Sequence, residues 1–143
     1  MILDVLIKRV DPLTDLMGSI WFDLGNVHCH ATYYDIDKYA YSHFCVGKTS
    51  TIDLWLLDST PIVSSEKVKG ISISSSAVVH GRINHYFNTH EFRADCGVID
   101  LDISSENEIN ISVDTFFVAR GTLQAFLPGV AGLTKEDVWF TYV

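Results

Sequence analysis

Apolar and polar residues alternate along much of this chain with a period of two, which is the pattern of strands with one buried face. The clearest stretch lies between residues 99 and 113, where isoleucine, leucine and valine hold odd positions and mostly acidic, amide or hydroxyl residues hold even ones. Pairing Ile103 with Ile109 keeps the two faces matched and leaves a three-residue loop, Ser105-Glu106-Asn107. The pattern therefore predicts an antiparallel hairpin, with Ile103 opposite Ile109.

A second hairpin is predicted around the dipeptide Gly25-Asn26, which suits a two-residue turn between strands. In this register one face of the hairpin is apolar, and the other carries acidic, aromatic and histidine side chains. The predicted cross-strand pairs are Leu24 with Val27, Phe22 with Cys29 and Ile20 with Ala31 on the apolar face, and Asp23 with His28 and Trp21 with His30 on the other. Turn chemistry and hydrophobic pattern therefore agree on one register.

The alternation at odd positions continues past the first hairpin as far as Leu127. One uninterrupted strand of that length would span about 60 Å at ~3.3 Å per residue, so we expect it to bend or break, with Gly121 as the place. Phe116 and Val118 make the even face apolar as well. Residues 115–127 are therefore expected to be covered on both sides, by another layer or by a second copy in a homo-oligomer.

The remaining segments complete a fold that is mainly β-sheet. Further strands are predicted at residues 2–10, 51–57, 71–74, 78–83 and 138–143. Short helical turns are predicted at Asp11-Pro12 and after Thr134, which is followed by Asp137, and residues 35–44 are ambiguous. The absence of a repeat or a linker-like stretch indicates one globular domain over residues 1–143. The expected fold class is all-β, a mainly antiparallel sandwich or barrel with one or two short helical segments.

Net charge narrows the classes of partner. Ten Lys and Arg residues against 18 Asp and Glu residues give a formal net charge of −8. Nucleic-acid binding begins with a basic surface, and an acidic surface also repels anionic lipid, so neither nucleic acid nor membrane is an expected partner. A basic protein, a cation or a neutral small molecule fits an acidic surface.

Three features favour a cytoplasmic protein. Asp4 interrupts the apolar run at the amino terminus, and Lys8-Arg9 follows that run, which is the reverse of the order in a secretory signal. No stretch approaches the roughly 18 apolar residues of a membrane-spanning helix. The three cysteines, at positions 29, 45 and 96, are an odd number without paired spacing, which argues against a disulfide framework.

The candidate for metal chemistry is the pair His28 and His30, which lie two residues apart and would share one face of a strand. A zinc site needs a third and a fourth ligand. The candidates for these ligands are Asp23, His43 and Asp35. The alternative is that His28 pairs with Asp23 while His30 packs on Trp21. No pair with metal-ligand spacing recurs elsewhere, so neither a metal nor a cofactor is predicted.

The sequence contains little that supports nucleophilic catalysis, and no catalytic residue is assigned. Cys96 directly follows Asp95, and a neighbouring carboxylate disfavours the thiolate that a catalytic cysteine needs. The chain contains no Gly-x-Ser-x-Gly elbow of the kind that positions a hydrolase serine.

The strongest functional signal is acidic. Between Arg93 and Arg120 the chain carries six acids and no base. The residues assigned to partner binding are Asp100, Asp102, Glu106, Glu108 and Asp114. By parity, all of them except Glu106 project from one face of the first hairpin. Such a face either serves solubility or attracts a basic partner by electrostatic steering.

These observations lead to one functional hypothesis and three alternatives. The hypothesis is a non-enzymatic protein-binding module, an inhibitor or immunity-type protein that neutralises a basic partner through the acidic hairpin. The first alternative is a small-molecule-binding β-barrel whose interior is lined by Trp55, Phe117 and Phe126. The second is a metal-dependent enzyme that uses the histidine pair, and the third is a structural subunit assembled through residues 115–127.

Overall fold

The computed structural model describes residues 1–14, 17–34, 43–73, 76–130 and 133–142. Within these residues the chain forms eleven strands and one helix, and most neighbouring strands are antiparallel. The prediction of an all-β, mainly antiparallel fold with a short helical segment is therefore confirmed. The elements are β1 (Ile2–Leu6), β2 (Arg9–Pro12), β3 (Met17–Leu24), β4 (Val27–Tyr34), β5 (Thr49–Ser59), β6 (Ile62–Val63), β7 (Gly70–Ile73), β8 (Ala77–Tyr86), β9 (Glu91–Asp95), β10 (Asp100–Ser105), β11 (Phe116–Phe126) and α1 (Lys135–Tyr142).

Residue contacts divide the chain into two compact units, and the first consists of Met1 and residues 55–123. Its strands pair in the order β5-β10-β9-β8-β11, and β11 pairs in turn with β5, so these five strands form a closed ring of neighbours. A sheet closed on itself in this way is barrel-like. β6 adds to β11, and β7 adds to β8.

The core of the first unit contains a pair of aromatic rings. Phe92 on β9 and Phe117 on β11 are fully buried and meet edge to face, with ring centroids 5.1 Å apart. Other fully buried side chains of this unit include Leu56, Val79, Ile83, Leu101 and Ile103. Along β8 and β9 the buried residues alternate with more exposed ones, as the period of two predicts.

The second unit consists of residues 2–54 and 124–143. β1 pairs with the amino-terminal half of β5. A separate ladder runs through β2, β3 and β4 to the end of β11, where Gln124 pairs with Thr32. The fully buried aliphatic side chains of this unit include Ile7, Ile20, Ile52 and Leu54.

The hairpin around Gly25-Asn26 has the predicted register at every pair. Gly25 has a φ of 58°, in the left-handed region that glycine adopts without steric cost. Phe22 and Cys29 are buried on the apolar face, whereas His28 is exposed on the other. The turn and the alternation together were sufficient to determine this ladder.

The hairpin predicted between Ile103 and Ile109 is wrong. β10 pairs with β9 on one side, where Ile103 lies opposite Phe92, and runs parallel to β5 on the other. Residues 106–115 form no strand and connect β10 to β11. Both edges of β10 are already occupied by other strands, so no edge remains with which Ile109 can pair.

Two predictions near the ends of the chain are also corrected. Residues 138–142, predicted as part of a strand, belong to α1, and the predicted helix start is confirmed because Thr134 Oγ1 accepts a hydrogen bond from the Asp137 N–H at 3.3 Å. A short apolar run does not by itself distinguish helix from strand. Asp11-Pro12, predicted as a helical turn, ends β2 instead, at an edge where proline is tolerated. Of the ambiguous residues 35–44, those up to 42 lie outside the described residues.

β11 continues through Gly121, where a bend or break was expected. A Cβ at this position would collide with the carbonyl oxygen of Leu57, so glycine allows the backbones of β11 and β5 to approach closely. Every residue from 123 to 127 is buried within this single chain. Both faces are therefore covered from 123 to 127, whereas Phe116 and Val118 are half-buried and Arg120 and Thr122 are exposed, so the cover expected over residues 115–127 is found in only part of that range.

Candidate functional site

The five acids assigned to partner binding occupy three different settings. Asp100 is exposed at the start of β10, and Asp102 is buried two residues later in the same strand. Glu106, Glu108 and Asp114 are exposed in the connection between β10 and β11. The expected common face fails because the hairpin does not form and because Asp102, which has the same parity as the exposed Asp100, is buried.

Asp102 forms an ion pair that joins β10 to β9. Arg93 Nε donates to Asp102 Oδ1 at 2.8 Å and Arg93 Nη2 donates to Oδ2 at 3.2 Å, and the amino-terminal ammonium of Met1 also binds Oδ2. Burial raises the pKa of Asp102, but the hydrogen bonds and charges of its two partners outweigh burial and hold that pKa below its usual value. Asp102 is therefore an internal, paired carboxylate.

The ion pair lies in a row of side chains across neighbouring strands. The register places Trp55, Asp102, Arg93 and His85 side by side on β5, β10, β9 and β8. The Arg93 guanidinium also lies over the ring of Phe87, 5.4 Å from its centroid. The sequence did contain a signal for this arrangement, because opposite charges at positions 93 and 102 face each other across a turn at 96–99.

Asp100 lies directly opposite Asp95 across β9 and β10, an arrangement of like charges that disfavours pairing. Lys69 offsets it, because its Nζ donates to Asp95 Oδ2 at 2.6 Å. This hydrogen bond, followed by one from the Gly97 N–H, lowers the pKa of Asp95. Lys69 is thus engaged with Asp95, and Asp100 forms no ion pair within the described part of the chain.

We call residues 106–114 the acidic segment. Backbone N–H to C=O hydrogen bonds anchor it at three points: Glu106 to Ser59 at 3.0 Å, Ile109 to Thr89 at 2.9 Å, and Asp114 to Ile83 at 2.8 Å. Asp114 has a φ of 68°, which aspartate tolerates better than most residues. The carboxylates of Glu106, Glu108 and Asp114 make no ion pair with any residue that the structure describes. Their charges therefore face solvent uncompensated by a direct partner.

An open groove of about 500 Å³ lies beside the acidic segment. Its lining residues are Tyr86, Asn88, Thr89, Ile109, Asn110, Ile111 and Ser112. None of them carries a charge. The Tyr86 hydroxyl donates to the carbonyl of Ile111, and burial raises the pKa of Tyr86 despite this bond, so the hydroxyl stays neutral. No local sequence pattern indicates this groove, because its two walls lie twenty or more residues apart along the chain.

The two histidines make the contacts of the second interpretation, with Asp23 and with Trp21. His28 Nδ1 lies 2.7 Å from Asp23 Oδ1, and Lys8 binds the other oxygen of the same carboxylate. The hydrogen bond from Lys8, followed by that from His28, lowers the pKa of Asp23. The ring of His30 packs on Trp21, with centroids 4.6 Å apart. Both predicted contacts are confirmed.

Two of the three cysteine thiols are buried, and no cluster of metal ligands is found among the described residues. No three His, Cys, Asp or Glu side chains come together there at metal-binding spacing; His43 is exposed, and Asp35 lies outside that part of the chain. Burial, followed by the charge of Asp23, raises the pKa of Cys29 to about 11. Burial, followed by the charge of Asp95, raises the pKa of Cys96 to about 12, so both thiols stay protonated.

The aromatic residues expected to line a ligand cavity are packed into the protein instead. Trp55, Phe117 and Phe126 are 7%, 0% and 2% exposed, and none of them lines the groove. Phe126 borders a cleft with Tyr33 and Phe44 that has no room for a water molecule. The described residues thus give the interior-cavity alternative no site at the predicted positions.

Fold and surface together define a mainly antiparallel β-protein that carries an acidic segment beside an uncharged groove. Comparison with protein-family models, with curated proteins and with solved structures finds no match to this chain. Among the elements described above, no helix is both long and apolar enough to cross a membrane.

Proposed function

We propose that this protein is a protein-binding module of the inhibitor or immunity type, which engages a basic partner through the acidic segment. The observation that supports this function is the exposure of Glu106, Glu108 and Asp114 without ion-pair partners among the described residues. Unlike the buried Asp102, these carboxylates are not used by an ion pair of the fold, so their charges remain available to a partner.

The charge of the whole chain supports the same function. A net charge of −8 attracts a basic protein at long range, and the acidic segment adds a local cluster without a base between Arg93 and Arg120. Complementary charge of this kind increases association rates and discriminates against acidic competitors. Asp100 extends the cluster at the start of β10, whereas the buried Asp102 is left out of the proposed surface.

The test compares two variants that remove the same charge from different places. Glu106→Gln with Glu108→Gln neutralises the acidic segment, and Glu66→Gln with Glu136→Gln neutralises two exposed glutamates elsewhere. Each rim charge contributes roughly 0.2–1 kcal/mol to such a contact, so the first variant is expected to weaken binding about 2- to 30-fold. The second variant has the same net charge as the first, but its acidic segment is intact. It is therefore expected to bind like the native protein.

The measurement is affinity capture from native lysate at low and high salt, followed by calorimetry with each purified basic protein that is captured. A basic protein that binds the native chain and the control variant, but binds the segment variant weakly, supports the proposal. Equal affinity for both variants would show that net charge, and not the acidic segment, accounts for capture.

A further inference from the structure

The acidic segment resembles the unpaired edge of a strand. Exposure alternates along residues 108–112, with positions 108, 110 and 112 exposed and positions 109 and 111 half-buried. Ile109 donates its N–H to Thr89, but the N–H groups of Asn110, Ile111 and Ser112 make no hydrogen bond with any residue that the structure describes. Alternate residues of an extended segment direct their N–H groups to opposite edges, so the donors of Asn110 and Ser112 share the edge opposite to the Ile109 donor and are free to bind acceptors from outside the chain.

The groove offers the chemistry that another main chain needs. Its walls combine carboxamides and hydroxyls with the apolar side chains of Ile109 and Ile111, and they carry no charge. A peptide backbone is likewise neutral, rich in hydrogen-bonding groups and flanked by alternating side chains. An unpaired edge recognises such a backbone by strand addition, in which main-chain bonds give affinity and alternate side chains give specificity.

Charge decides which kind of segment fits. Glu108 directly precedes the groove residues, Glu106 lies two residues further back, and Asp114 lies two residues beyond Ser112. A second copy of this chain would bring the same acids to the same edge, and like charges side by side across a ladder are unfavourable. A basic segment instead places Lys or Arg side chains against these carboxylates.

We propose that the groove receives an extended, basic segment of the partner, which pairs through its main chain with residues 108–112. At ~3.3 Å per residue, this edge accommodates about five residues of the incoming segment. The inference rests on the proposed function, since it names the form in which a basic partner presents itself. It adds that recognition depends on main-chain hydrogen bonds as well as charge.

The probe is the blocked peptide acetyl-Lys-Val-Lys-Val-Lys-Val-amide, compared with two isomers that carry N-methyl groups on the three valines or on the three lysines. In an extended peptide, alternate residues direct their N–H groups to opposite edges, so each isomer has one edge blocked. Charge and composition are identical in the two isomers. Calorimetry is expected to show that one isomer binds like the parent and the other binds at least about tenfold more weakly.

A second readout is amide hydrogen exchange. The N–H groups of Asn110 and Ser112 are expected to gain protection when the parent peptide is present, and less so with the weaker isomer, whereas that of Ile111, on the opposite edge, is expected to keep its exchange rate. Equal affinity of the two isomers, or failure of the parent peptide to bind, overturns the inference. If the isomers bind equally but Glu106→Gln with Glu108→Gln still weakens them, main-chain pairing is wrong and the proposed function stands. If the peptides bind the double variant as tightly as they bind the native protein, the proposed function itself is contradicted.

Discussion

The Arg93–Asp102 ion pair permits a quantitative test of how the first unit is held together. Arg93→Met removes the guanidinium and keeps most of the apolar stem, which leaves the Asp102 carboxylate with its side chain 5% exposed. The amino-terminal ammonium then remains as its ionic partner among the described residues. Breaking a buried pair from one side typically costs 3–5 kcal/mol. Because the Arg93 side chain is 32% exposed and the ammonium stays, we expect the substitution to lower the free energy of unfolding by about 2–3 kcal/mol.

Urea unfolding followed by circular dichroism measures this loss. With a slope of roughly 2–3 kcal/mol per molar urea, the midpoint is expected to fall by about 1 M at pH 7. Arg120→Met is the matched control, because Arg120 is exposed and its hydrogen bond goes to the Ser76 hydroxyl. The free energy of unfolding of that control is expected to lie within about 0.5 kcal/mol of the native value.

The pH dependence of the stability difference between the native protein and Arg93→Met tests whether the Asp102 charge causes that difference. In the native protein the folded pKa of Asp102 lies below the unfolded value, so its contribution to stability is present at neutral pH and is lost as the pH falls through the folded pKa. Without the guanidinium, one of the two groups that lower the pKa of Asp102 is lost, so this pKa is higher in the variant than in the native protein, and the variant recovers stability relative to the native protein as this carboxyl protonates. The gap is therefore expected to be smaller at pH 4 than at pH 7. A gap that is equal at both pH values, or a midpoint shift below about 0.3 M, would refute the assignment of a structural ion pair.

Three further predictions concern packing, capping and thiol reactivity. Phe92→Ala removes a fully buried ring and is expected to lower stability by about 3–5 kcal/mol in urea unfolding, and near-native stability would contradict the described core. Thr134→Ala removes a helix cap and is expected to cost about 1 kcal/mol in thermal unfolding, whereas Thr134→Ser retains the hydroxyl and most of the stability. Cys45 is exposed, while burial raises the pKa of Cys29 to about 11 and that of Cys96 to about 12. Mass spectrometry after alkylation of the native protein at pH 8 is therefore expected to find Cys45 modified and the other two intact, and modification of either buried thiol would contradict this burial.

The two predicted hairpins show which part of the fold local sequence determines. Around Gly25-Asn26 the turn residues and the alternation of both strands point to one register, and that register forms. Between residues 99 and 113 the alternation is equally regular, but no turn dipeptide supports it as strongly. There the choice of partner is non-local, because β10 adds to β9 on one edge and to β5, more than forty residues earlier, on the other.

In the candidate site, too, some features follow from local sequence and others depend on tertiary contacts. Exposure of Glu106, Glu108 and Asp114 follows from residue type alone, because unpaired acids are rarely buried. Burial of Asp102 depends on Arg93, and the alternation in the sequence gives the same parity to a paired acid and a solvated one. The groove depends on a turn after β8 meeting the acidic segment, a tertiary contact that no local pattern encodes.

The boundary between the two compact units has a consequence for how this chain can be inherited or engineered. It falls between Leu54 and Trp55 inside β5, and between Leu123 and Gln124 inside β11, rather than in exposed linkers. A gene fragment that ended at either point would encode half a strand and leave ladder positions without a partner. Transfer of residues 55–123 alone into another protein is therefore expected to disrupt both strands. An exchange that keeps β5 and β11 intact has to include residues from both units.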